Sequence, residues 1–375
     1  MNIGITCYPS AGGSGVVATE LGLALARRGH KVHFISYSRP FRLEQGANVC
    51  FHKVRTVTYP LFKYPPYALA LAARMAEVAR NEKIDVFHAH YAIPHATSAL
   101  LANEILAPER VRVVTTLHGT DITLVGTERS FLEITKLSIE RSDIVTAVSC
   151  FLAGETRQRL GVRRRIDVIP NFVDPEIFRG ERDEELRKSL ELDEGPVLMH
   201  ISNFRKVKNT PDVVRLFARV RESTGGVLVM VGDGPERVTC RILAEELGVR
   251  DRVFFLGDKI EVRKILPLAD VLLLPSTVES FGLVALEAMA CRVPVIGYDG
   301  GGLPEVVRHG EDGLLAPLGD RERMIEMTID LLQNGPWRKK MGDQARERAV
   351  EVFATDRVTP LYEELYRRVL ADSEE

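Results

Sequence analysis

The chain of 375 residues has little of what builds stapled, charged or membrane-embedded proteins. Its five cysteines, Cys7, Cys50, Cys150, Cys240 and Cys291, are odd in number and scattered, with no C-x-x-C pair. They encode neither a disulfide framework nor a zinc site, and a reducing cytoplasm is expected. An excess of one charge is missing too: 50 Lys and Arg stand against 52 Asp and Glu, for a net charge of −2, which argues against nucleic acid as a partner. No apolar run reaches the roughly 20 residues that span a bilayer. The opening MNIGITCYP enters a strand without a basic region before it, so neither export nor stable membrane insertion is expected.

What is present is alternation. Ile3–Thr6, Val32–Ser36, Val86–His90, Val111–Leu117 and Ile144–Val148 are short apolar runs separated by helical patterns. After a charged stretch from Glu181 to Glu194 the pattern restarts, with Val197–Ser202, Val227–Val231, Val253–Leu256, Val271–Pro275 and Val293–Gly297. Apolar strands alternating with helices imply parallel sheets covered on both faces. At this length the expectation is an α/β chain of two Rossmann-like, doubly wound domains facing each other across a cleft, with ligands at the carboxyl ends of the strands. The boundaries expected are 1–170, 171–350, and a C-terminal helix in 351–375 that packs back toward the first domain. That helix carries the stripe Val358, Leu361, Tyr362, Leu365, Tyr366, Val369. The stretch YPLFKYPPYALALAARMAEVAR fits a core-facing helix started by Pro65-Pro66, in preference to a membrane-surface one.

Gly13-Ser14-Gly15-Val16-Val17-Ala18 satisfies the spacing of the dinucleotide fingerprint. A nicotinamide site should carry an acid about 20 residues further on. Here the second strand runs into Ser38-Arg39 and the next acid is Glu44, so an oxidoreductase is disfavoured. What the loop offers is main-chain N–H groups at a helix start, a place for an anion. A second such place is Ser280-Phe281-Gly282-Leu283, flanked by Glu279 and, eight residues on, Glu287. Two carboxylates so spaced can reach one ligand at different depths, a ribose at one and a second sugar at the other. Arg205, Lys206 and Lys208 in ISNFRKVKN follow the first strand of the second half, where cations would meet a diphosphate. In the first half, His88, His90 and Tyr91 end one strand and His118, Thr120 and Asp121 another. The His88-x-His90 spacing suits a metal, but no third ligand accompanies it, and structural histidines are favoured. His118, before a glycine turn, is expected to hydrogen-bond a substrate hydroxyl.

Together, GGSG at 12–15, SNFRKVKN and Glu279-x7-Glu287 make the chain similar to the retaining family-4 glycosyltransferases of GT-B fold, over nearly its whole length. HAHYAIPHA, TTLHGTDIT and ESFGLVALEAMA sharpen that resemblance. It implies UDP-N-acetylglucosamine as donor, the hydroxyl of L-malate as acceptor, retained α configuration, and a place at the opening of bacillithiol biosynthesis. On that resemblance Glu287 holds the uridine ribose, Glu279 the hydroxyls of the transferred sugar, and Arg205 and Lys208 the diphosphate, helped by N–H groups at Gly13 and Gly282 beside Phe281 and Leu283. Lys208 is chosen over Lys206, although the family's spacing from arginine to lysine is longer. His118 would lie near the anomeric centre, with Ser14, Tyr91 and Thr120 at the acceptor. No Asp-x-Asp occurs, so no metal or other cofactor is expected and protein cations must stabilise the leaving group. A same-family enzyme with an inositol phosphate or lipid-linked acceptor and a UDP-N-acetylglucosamine 2-epimerase remain alternatives. A homodimer is compatible with the sequence, which leaves the oligomeric state open.

Overall fold

A computed structural model describes residues 1–371 apart from 11, 45, 58, 124, 193, 194, 259 and 260. Ala11 of the first glycine loop and Glu194 at the end of the charged stretch therefore lie outside the described residues. The chain divides into two compact units, Met1–Asn171 with Thr355–Glu375, and Phe172–Ala354.

The first unit holds seven parallel strands: β1 (Asn2–Thr6), β2 (Lys31–Ser36), β3 (Val49–Lys53), β4 (Val86–His90), β5 (Arg112–Leu117), β6 (Ile144–Ala147) and β7 (Ile166–Val168), in the order β3-β2-β1-β4-β5-β6-β7. The second holds six: β8 (Val197–Ile201), β9 (Val227–Val231), β10 (Val253–Gly257), β11 (Val271–Leu274), β12 (Val295–Asp299) and β13 (Gly313–Pro317), in the order β10-β9-β8-β11-β12-β13. Strands β8, β9 and β11 are mostly apolar and buried along their length, as strands covered on both faces must be. In both sheets the strand order reverses beside the first strand, between β1 and β4 and between β8 and β11. Loops leaving the carboxyl ends of those pairs are where such a sheet opens a crevice.

The ten expected strands are present, and three more, β3, β7 and β13, appear at sheet edges. Edge strands need one covered face only, so VCFHK and IDV carry mixed patterns that do not read as apolar runs. β12 begins two residues later than expected, at Val295, because Pro294 has no N–H to give the ladder. The helix Tyr67–Glu82 buries Leu71, Ala72, Met75, Val78 and Ala79, the stripe of a packing helix. The C-terminal helix, Thr355–Ala371, buries Val358, Tyr362, Leu365, Tyr366 and Val369, whereas Leu361 of the expected stripe faces out, 43% exposed. Its Glu363 accepts from Arg28 at 2.9 and 3.0 Å and pairs with His30 at 2.8 Å, fastening it to the helix Gly13–Arg27. Among the described residues no helix is long and apolar enough to cross a membrane.

Candidate functional site

In the second unit the residues after β8 fold back sharply. Phe204 takes a left-handed φ of +44° and is fully buried, with its N–H donated to the Ser202 hydroxyl at 3.2 Å. His200, buried in β8, bonds both the Leu273 carbonyl and Ser202, so the turn is locked to β11. Gly232 and Gly234, both at positive φ, lie so close to the carbonyls of Ser202 and Asn203 that a Cβ at either would collide with main chain. This packing presents Arg205 on an exposed turn, where it has no ion pair among the described residues. Lys206–Lys208 form one 3₁₀ turn, and Asn209, at φ +50°, hands it to the helix Thr210–Thr224.

That turn is joined to the loop after β11. Thr277 donates its N–H to the Val207 carbonyl at 2.9 Å, and Lys208 Nζ meets Glu279 Oε1 at 2.6 Å, the two side chains 23% and 12% exposed. Two residues predicted from separate motifs, 71 positions apart, thus form one ion pair. Glu279 is held by its main chain as well: its carbonyl accepts from Gly302 N–H at 2.6 Å, and Gly301 at φ +64° packs against it where any Cβ would clash. These two glycines were not singled out from the sequence; the run Gly300-Gly301-Gly302 was the available signal. Gly282, at φ +98°, starts the helix Leu283–Ala290 and provides no side-chain cap for its first-turn N–H groups. Glu287 is buried on this helix at 7% exposure. The ring of Phe281 is buried edge-on against Phe353, with ring centres 5.8 Å apart.

In the first unit the predicted residues gather around one tyrosine. Tyr91 sits at φ +89°, ψ 138°, a strained backbone for a residue with a side chain, tied by its N–H to the Thr116 carbonyl at 2.9 Å. Its hydroxyl neighbours the side chains of both Ser14 and Thr120; burial, and then the carboxyl of Asp121, push it up to about 12. Ser14, Tyr91 and Thr120 are therefore neighbours, brought together from the segments after β1, β4 and β5. Ser14 stands at the start of the helix Gly13–Arg27, where Gly15 packs with its Cβ position 2.5 Å from the Ser10 carbonyl. Gly13 is exposed beside it.

His118 stacks on His90 with ring centres 5.1 Å apart, sharing a 2.9 Å Nε2 to Nδ1 hydrogen bond, and lies 5.3 Å from the Tyr91 ring. Burial drives its basicity down to about 3, so it is a neutral hydrogen-bonding group at physiological pH. His88 bonds Tyr366 of the C-terminal helix and Thr116, each at 2.7 Å, and is likewise neutral. The His88-x-His90 pair is engaged in this core network and meets no third ligand there among the described residues. Asp121 accepts N–H bonds from Ala92, His118 and Gly119, so one carboxyl fixes both the Tyr91 and the His118 turns. Burial raises it to about 6 against the pull of those N–H groups. Its organising part was missed from sequence, where His-Gly-x-Asp gave only the spacing.

A model of Glycosyltransferase Family 4 matches residues 11–177, and one of Glycosyl transferases group 1 matches 181–348. The Bacillus anthracis protein named N-acetyl-alpha-D-glucosaminyl L-malate synthase is 47% identical over 374 residues, covering 99% of this chain and 98% of its own. Among solved structures, sucrose-phosphate synthase from Thermosynechococcus elongatus superposes with a TM-score of 0.81 at 23% identity, over 99% of this chain and 100% of that one. Anabaena HepE in complex with UDP-glucose does so with a TM-score of 0.79 at 19% identity, over 98% and 100%. These structures share the GT-B fold, and the match in sequence extends through both units: the chain belongs to the family-4 glycosyltransferases.

Proposed function

We propose that the chain transfers N-acetylglucosamine from UDP-N-acetylglucosamine to the hydroxyl of L-malate with retention of the α configuration, in the cytoplasm. The observation that carries this reading is full-length identity of 47% to the protein named for that synthesis. The Lys208–Glu279 pair supports the donor half. A carboxylate already held by a lysine suits sugar hydroxyls, while the lysine and exposed Arg205 supply the positive charge that a departing UDP requires. Glu287 takes the ribose hydroxyls, and N–H groups at Gly282 and Gly13 the phosphates. His118, neutral, donates or accepts a hydrogen bond at the sugar, and Ser14, Tyr91 and Thr120 receive the acceptor.

A covalent route needs a free carboxylate at the anomeric carbon. Asp121 is engaged with three N–H groups and Glu279 with Lys208, which favours attack from the face that UDP leaves, its phosphate oxygen taking the malate proton. The protein's cations would serve in place of a metal. Mass spectrometry after incubation with UDP-N-acetylglucosamine and a panel of hydroxy acids, inositol phosphate and a no-acceptor control tests the reading. The expected product is the malate glycoside alone, with an α anomeric signal by NMR. An inositol phosphate glycoside, or epimerised sugar without acceptor, overturns it.

A further inference from the structure

Away from the catalytic loops, His33 of β2, His52 of edge strand β3 and Glu82 at the end of the helix Tyr67–Glu82 converge, with one ligand atom from each lying within 4.8 Å of the others. The register pairs Ile35 with His52 and His33 with Cys50, so alternation sets both histidines on one face of the sheet. Their rings stack 20° from parallel, and His33 Nδ1 faces His52 Nε2 at 2.9 Å. Two imidazole nitrogens on one tetrahedral zinc ion stand about 3.3 Å apart, given bonds of about 2.0–2.1 Å. A small opening of the ring pair therefore admits an ion without moving the strands. Glu82 is met by Lys31 Nζ at 2.8 Å, so a cation already sits at this carboxylate.

The structure assigns a divalent metal site of the His₂-carboxylate class to His33, His52 and Glu82. Its donor set of two imidazoles and one carboxylate selects zinc-like ions over magnesium or calcium, which want oxygen alone. Water completes the tetrahedron. The site joins β3 to β2 and to the helix end, so a bound ion fastens the sheet's outermost strand, and it contains none of the residues proposed for transfer.

The test is titration of the full-length chain, stripped with a chelator, with Co(II) and with Zn(II). Expected are a visible tetrahedral Co(II) absorption band that Zn(II) displaces, one equivalent bound by calorimetry, and a raised thermal midpoint. Glu82→Gln, a change at a side chain 30% exposed, and His52→Ala should each weaken binding by about tenfold or more and abolish the thermal shift. Lys31→Met, which removes the competing cation, should tighten it. Circular dichroism and transfer activity of Glu82→Gln verify that the fold is intact. Absence of the Co(II) band, or a Glu82→Gln or His52→Ala chain that titrates like the parent, overturns the assignment.

Discussion

The two units use one strand order and opposite chemistry. In the second, the crevice segments carry charge: Arg205 exposed on a turn, Lys208 and Glu279 paired, Glu287 buried on the helix that follows. In the first, the corresponding loops carry hydroxyls and histidines that burial keeps neutral, with His88 and His118 down to about 3 and His95 to about 4. The same winding thus carries charged loops in one unit and neutral, hydroxyl-bearing loops in the other; on the function proposed above, the first offset a diphosphate and the second orient hydroxyls. What separates them is the composition of the loops and helix starts that follow the strand ends, since topology supplies a crevice but no chemistry.

The largest test of this contrast removes its strongest charge. Arg205→Ala should lower turnover by about 2–4 kcal/mol of transition-state stabilisation, read as kcat/KM in a steady-state assay. Normal turnover would remove Arg205 from the reaction. Next, Lys208→Ala and Glu279→Gln should each cost about 1–3 kcal/mol, and the double variant less than their sum, because each leaves a partner unsatisfied in a half-buried setting. Strict additivity would mean that the pair does not act as a unit. In the first unit, Tyr91→Phe removes one hydroxyl beside Ser14 and Thr120, and should raise the KM for acceptor several-fold, about 0.5–1.5 kcal/mol, with the donor KM unmoved. A donor effect would erase the distinction between the units.

The smallest effect concerns how the first unit is held. Glu363 is depressed from its ordinary 4.5 to about 2, chiefly by its hydrogen bond from Arg28, with His30 adding to it. A carboxyl depressed on folding contributes stability that is complete above pH 4.5 and is lost as pH falls toward 2. Thermal melts across that window should show Glu363→Gln less stable than the parent at neutral pH, the two converging in acid. Parallel curves would show that the helix is held by its apolar face alone.

Much of the fold was legible because strands covered on both faces must be largely apolar, and β9 and β11 are apolar throughout. The edge strands were not, since β3 and β7 bury too little to leave a pattern. For the site, Arg205, Glu279, Glu287 and His118 could be picked out by residue type beside a strand end. Lys208's partner, Tyr91's two hydroxyl neighbours and Asp121's three N–H donors could not, because each joins residues far apart along the chain. The burial of the Phe281 ring against Phe353 is of the same kind, a contact between residues 72 positions apart.

By itself, then, the order of residues determined two doubly wound units and the kind of group at each strand end, because burial and backbone pairing act locally and leave periodic traces. Only tertiary structure decided which groups meet: the lysine on Glu279, the tyrosine between Ser14 and Thr120, and the two histidines beside Glu82. Those meetings depend on strand register and on close approach of glycine main chain, properties of distances in space that no spacing along a chain expresses.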